Sequence, residues 1–119
     1  MMMVVLGLMG CGGWSHSDTA RELMFATESS VDWAQSRGIV RNCDEQNPLV
    51  GKCGGEFSLN AYMPIMMIAH AAVSAALPKS VRHAWQYLTI GIEGGTVTSN
   101  WTAGYTLTDS PSHSYFTTR

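Results

Sequence analysis

Charge is what this sequence has least of. Asp, Glu, Lys and Arg supply 13% of the 119 residues, against about a quarter in an ordinary globular chain. Apolar residues supply 45%, eight of them Met, so the missing charge points to extensive burial or to contact with lipid and excludes a disordered chain. No run of Lys or Arg occurs and the formal net charge is −2, which leaves no electrostatic footprint for nucleic acid. The motifs of common catalytic sites are missing too. There is no H-E-x-x-H, no G-x-S-x-G elbow and no G-K-[ST], and the pairs Gly12-Gly13, Gly54-Gly55 and Gly94-Gly95 lack the strand-loop-helix setting of a phosphate cradle. No cofactor is expected.

What is present begins with an uncharged apolar run, Met1 to Gly10, followed by Cys11. L-M-G-C at Leu8–Cys11 is similar to the lipobox of bacterial lipoproteins, in which the cysteine is acylated and the chain is cut before it. The expectation is a signal peptide over 1–10, lipid attachment at Cys11, a helical domain over 11–105 and a flexible polar tail over 106–119. The run lacks the positive n-region of a signal peptide. The competing reading makes Met1–Met9 a frayed apolar helix end packed on the core.

With Cys11 so used, Cys43 and Cys53 remain, separated by a turn-rich loop that holds Asn47-Pro48 and Gly51. A disulfide across it would contribute about 2–3 kcal/mol in the chain-entropy model and would require an oxidising compartment. Two free thiols are the alternative. The spacing does not fit a zinc site.

Three helices are expected. The first runs from about Asp18 to Val40, with Thr19–Glu22 fitting a capping box and Gly38 with the polar N-C-D-E-Q-N-P stretch stopping it. Ala20, Leu23, Met24, Thr27, Val31 and Ala34 recur on one face, so the helix reads as amphipathic. The second, Phe57–Leu77, has no charged residue and, at about 1.5 Å per residue, reaches roughly 30 Å, a bilayer core; Pro64 would kink or begin it. The third spans Val81–Gly104 and offers G-x-x-x-G spacing at Gly91 and Gly95 for close helix contact. The fold class is all-α. Either a three-helix bundle rests against a membrane, or helices two and three form a transmembrane hairpin whose Lys79 and Arg82 lie in the cytoplasm by the positive-inside rule, with the N-terminal helix and cysteine loop on the outer side.

V-D-W-A-Q-S-R, N-P-L-V-G, A-H-A-A, L-P-K-S-V-R-H-A-W-Q-Y and I-G-I-E-G-G-T-V-T-S-N, in that order over Trp14–Gly104, resemble a family of small proteins of tailed phages and proteobacteria that often begin with a lipoprotein signal. Ser36 departs from the family's Thr. The resemblance implies a phage or bacterial envelope protein and no mechanism.

The polar residues on these apolar helices need an explanation: Asp32, Gln35, His70, Glu93 and Asn100. An unpaired buried charge costs several kcal/mol, so a buried polar network is expected, with Asp32, His70 and Glu93 meeting at the bundle centre. Such a trio would fix helix register or, alternatively, serve a small metal-binding or proton-transfer enzyme. Trp33, Trp85 and Trp101 fit either the core or an interfacial belt. The partners expected are membrane lipid and an envelope protein, acting in host lysis or superinfection exclusion.

Overall fold

A computed structural model describes residues 13–41, 47–51 and 55–108. Cys11, Cys43 and Cys53, the expected signal peptide over 1–10 and residues 109–119 of the expected tail lie outside the described residues. The chain forms a three-helix bundle: α1 (His16–Arg41), α2 (Gly55–Ala76) and α3 (Lys79–Thr102). Helix α1 packs against both others, which barely touch each other.

The start of α1 is set by a capping box one turn earlier than expected. Ser15 is the cap and Asp18, not Glu22, is its partner: the Ser15 N–H donates to Asp18 Oδ2 at 2.8 Å and the Asp18 N–H to Ser15 Oγ at 3.2 Å. Each satisfies one of the amides that a helix start leaves open. The helix ends at Arg41, one residue past the expected Val40, and runs through Gly38. A Cβ there would stand 3.1 Å from Cδ1 of Tyr105, so the glycine serves close packing. Helix α2 runs through Pro64.

The N-P-L-V-G segment between α1 and α2 is a turn. Asn47 O accepts the N–H groups of Val50 and Gly51 at 3.1 and 3.0 Å, and Asn47 Oδ1 accepts that of Leu49. Gly51 has φ +85°, which only glycine adopts freely. The turn drives Val50 into a small apolar core with Val40, Leu59 and Met63, flanked by Trp33, Tyr62 and Met66. Helix α3 closes with a Schellman motif: the N–H of Tyr105 reaches Asn100 O and that of Gly104 reaches Trp101 O, both at 3.0 Å, with Gly104 at φ +93°.

The main surprise is which faces are inside. The face of α1 bearing Ala20, Leu23, Met24 and Thr27 points outward, with Leu23 58% exposed. The buried face carries Asp18, Glu22, Ser29, Gln35 and Ser36 beside Phe25, Ile39 and Val40. On α2, Phe57, Ile65 and Ile68 are exposed and His70 and Ser74 are buried; on α3, Val81, Leu88, Ile92 and Trp101 are exposed while Arg82 and Gln86 are buried. Apolar periodicity therefore located the helices, but on α1 the face it picked out is the outer one.

Candidate functional site

The buried polar groups fall into two clusters along α1. The first lies where α1 begins and α2 gives way to α3. Asp18, fully buried, accepts from the Ser15 N–H and hydroxyl, from Arg21 at 2.6 Å and from Arg82 at 3.2 Å. Burial pushes this carboxyl upward, but the bonds from Ser15, Arg21 and Arg82 outweigh it and hold the pKa down at about 2. Arg82 is 1% exposed. Besides Asp18, it donates to the carbonyls of Ser74 at 2.7 Å and Leu77 at 3.0 Å, groups that the end of α2 leaves without helical partners. Expected as a loop cation facing the cytoplasm, Arg82 is the pin that joins α1, the end of α2 and α3. Its burial removes one of the two residues from the positive-inside argument.

Gln86 continues the cluster. Its Oε1 accepts from Arg21 Nε at 2.7 Å, and its Nε2 donates to Glu22 Oε1 at 2.9 Å and to Asp18 O at 3.3 Å. Glu22 Oε2 lies 2.9 Å from His70 Nδ1, and His70 Nε2 lies 2.8 Å from Thr89 Oγ1. The imidazole thus touches all three helices. It also stacks on Phe25, centroids 3.7 Å apart, and on Trp85 at 5.2 Å. Thr89 is positioned to donate to the carbonyls of Trp85 and Gln86, which leaves its oxygen to accept from the ring.

The second cluster lies toward the other end. Asp32 Oδ1 accepts from Asn100 Nδ2 at 2.7 Å and from Ser36 at 3.4 Å. Gln35 donates to the carbonyls of Val97 and Tyr105, both at 3.3 Å, tying the end of α3 to α1. Trp33 Nε1 donates to Asn60 Oδ1 at 2.8 Å. Buried oxygens of Glu28, Ser29 and Glu93 have no hydrogen-bond partner among the described residues, and Ser29 stands beside Glu93.

Of the residues expected to form one network, the structure joins Asp32 to Asn100 and sets Gln35 nearby. It assigns His70 to Glu22 and Thr89 instead of to Asp32 or Glu93, so the expected trio is not hydrogen-bonded together. Among the described residues, no three His, Cys, Asp or Glu side chains could hold a metal ion. Gly91 and Gly95 face outward, with open space where a Cβ would stand, and it is Gly94 that lies against α1, 3.2 Å from Glu28 Oε1. Trp85 belongs to the interior and Trp101 to the exterior.

Sequence reasoning overlooked Asp18, Glu22, Arg82, Gln86 and Thr89. The signal was available: Arg82, Gln86, Thr89, Glu93 and Asn100 are spaced 4, 3, 4 and 7 residues apart in an otherwise apolar helix, which puts all five on one stripe. Between α2 and α3, above Asp32, a cleft of about 750 Å³ opens. No family model matches the chain, and neither a curated protein nor a solved structure is found to be similar to it.

Proposed function

We infer that this chain is an integral membrane protein of a phage or bacterial envelope that acts through contacts made within and beside the bilayer, without catalysis of its own. The observation that carries this reading is the inverted polarity. In water, a bundle buries apolar residues because their removal from solvent drives folding; in lipid that drive is absent, and helices associate through polar contacts and close packing. Here ionic groups lie inside and many large aliphatic groups lie outside, beside a small apolar core at Val40, Val50, Leu59 and Met63.

The distribution of exposed charge agrees. Among the residues whose side-chain burial is described, the exposed Lys and Arg are Arg37, Arg41 and Lys79, and no Asp or Glu is exposed. All three cations sit at helix ends. Between them lie three stretches whose exposed faces carry no charge, Ala20–Ser36, Phe57–Ala76 and Val81–Trp101, each about 25–32 Å long as a helix, close to a bilayer core. Phe57–Ala76 is long and apolar enough to cross a membrane by itself, with only 22% of its most apolar window buried. Outward-facing Thr27, Ser30, Thr96 and Thr98 donate their hydroxyls to the carbonyl four residues earlier, which satisfies a donor that lipid cannot.

Three crossings place the start of α1 and the α2–α3 connection on one side and the segment after Arg41 on the other. With Arg82 buried, the exposed cations at the latter end, Arg37 and Arg41, outnumber Lys79, which favours that end as cytoplasmic. Cys11 would then lie on the outer side, as lipid attachment requires, while Cys43 and Cys53 would face the reducing cytoplasm. Within the envelope, the protein would work through lipid and a protein partner, in a role such as lysis or superinfection exclusion.

Carbonate washing of membranes from expressing cells tests the reading. Retention of the chain, with Cys43 and Cys53 labelled by a thiol reagent only after the membrane is opened, is expected. Release as a free monomer would overturn it, and release as a defined oligomer would assign the exposed apolar faces to protein contacts.

A further inference from the structure

The cleft between α2 and α3 has a polar end and a mostly apolar one. At the end nearer Arg41 it is lined by Ser36 of α1, Asn47 of the turn, Ser99 and Asn100 of α3, and Tyr105. Toward the middle of the bundle the lining changes to Met63 and Met66 of α2 and Ile92 of α3. From Ile92 to Asn100, at about 1.5 Å per residue, about 12 Å of helix separates the two ends. The volume of about 750 Å³ falls within the roughly 300–1,000 Å³ range of small-molecule sites.

The charges on the lining narrow the occupant. Asp32 accepts from Asn100 at 2.7 Å and from Ser36 at 3.4 Å, so its carboxylate is already engaged, and the deeper Glu93 stands beside Ser29. No Lys, Arg or His is among the described residues that line the cleft. An anionic head would meet carboxyl groups and no base on that lining, and burying a charge without a partner is costly. A cationic head would compete with Asn100 and Ser36 for Asp32. The polar end instead offers hydroxyl and amide groups, which both donate and accept and so match an uncharged hydroxyl head.

We propose that the cleft holds an uncharged, hydroxylated single-chain lipid of the monoacylglycerol kind, its head among Ser36, Ser99, Asn100 and Tyr105 and its chain along Met63, Met66 and Ile92. Flexible thioethers suit a flexible chain. The polarity of the cleft also runs as a bilayer's does: its polar end lies by the helix end that carries Arg37 and Arg41, and its apolar end lies toward the middle of the uncharged stretches. Helices α2 and α3 barely touch and their outer faces are apolar, so a lipid enters from the side without crossing water. This alignment rests on the membrane reading; the charge and shape of the cleft do not.

Photolabelling tests the proposal. Full-length protein in phosphatidylcholine nanodiscs is irradiated with a monoacylglycerol that carries a diazirine in its chain, and the adducts are located by peptide mass spectrometry. Saturable labelling concentrated on Tyr62–Met66 and Ile92–Ser99 is expected. Unlabelled 1-oleoylglycerol should compete at least about tenfold better than oleyl sulfate or oleylamine, which have the same chain and a charged head. Met66→Trp, which fills the apolar end, should reduce cleft labelling by a similar factor, whereas Ile68→Trp, on the outer face of α2, should leave it unchanged; both are checked for wild-type helicity and elution volume. Unsaturable labelling spread over the exposed apolar faces, equal competition by either charged lipid, or undiminished labelling of Met66→Trp would overturn the site. A chain that resists carbonate yet is labelled in that spread fashion refutes the site alone. A chain washed free of membranes that takes the same probe into the cleft from lipid-free buffer refutes the membrane reading alone.

Discussion

His70 Nδ1 lies 2.9 Å from Glu22 Oε2 across the α1–α2 seam, while the other ring nitrogen reaches Thr89 on α3. One side chain thereby connects the three helices. Thr89 is also placed to donate to backbone carbonyls, and the ring stacks on Phe25 and Trp85. This link helps to fix the rotation of α2 against its neighbours.

Replacing His70 by Ala removes both contacts and the stacked ring. Glu22 is left with the bond from Gln86, and the lost volume lies among buried side chains. A destabilisation of about 2–4 kcal/mol is expected, read as a lowered unfolding midpoint of the purified protein. A change below about 0.5 kcal/mol would mean that the pair does not fasten the helices.

Arg82→Ala should cost more, about 3–5 kcal/mol, because it leaves Asp18 buried beside the carbonyls of Ser74 and Leu77 with one cation fewer. Lys79→Ala, at an exposed position three residues away, should change stability by less than about 0.5 kcal/mol. The contrast between neighbouring cations, measured in the same unfolding assay, separates burial from charge.

Acid should loosen the end of the bundle where α1 begins. Asp18 titrates at about 2 in the folded chain, against about 3.9 when unfolded. A carboxyl depressed by folding contributes stability that is fully present above its unfolded pKa and is lost as pH falls through its folded one. The stability attributable to Asp18 is therefore constant above pH ~5 and declines between about pH 4 and pH 2. In Asp18→Asn that part of the acid dependence should vanish, as followed by the unfolding midpoint across the range.

Outward glycines should be tolerant and inward ones should not. Gly91→Ala meets open space and raises helix propensity, so the monomer should gain up to about 1 kcal/mol. Gly38→Ala places a methyl group 3.1 Å from the Tyr105 ring and should lower stability. Equal loss at both positions would indicate that Gly91 is covered by another chain.

Leu23→Lys and Ile68→Lys alter faces that touch no other helix. Each should reduce the fraction of protein retained after carbonate washing, Ile68→Lys the more, since a charge at mid-bilayer costs about 2.5–3.5 kcal/mol on an insertion scale and Leu23 stands only three residues inside its stretch. Unchanged retention together with unchanged stability would place these faces in water.

How much of this was legible beforehand varies with the kind of signal. The turn residues Asn47, Pro48 and Gly51 and Gly104 after α3 are local, so they mark boundaries directly, whereas the capping box was read at Thr19–Glu22, one turn past the Ser15–Asp18 pair that forms it. Apolar spacing likewise located α1, α2 and α3 to within a few residues. The stripe of Arg82, Gln86, Thr89, Glu93 and Asn100 was equally visible, yet it reads as a solvent face by the rule for water-soluble helices. The same sequence supports either assignment until the helices are packed together.

The chain by itself determined that there would be three helices, where each begins and ends, and that too few charges exist to cover them. Only the tertiary structure decided that Glu22 would meet His70 rather than Asp32, that Arg82 would turn inward to Asp18, and that Leu23, Ile65 and Ile92 would face out. The reason is that helix formation depends on residues within about four positions of one another, whereas the pairing of an acid with an imidazole 48 residues away depends on the relative rotation of two helices. That rotation is fixed by the whole set of buried hydrogen bonds acting together, and no single segment encodes it.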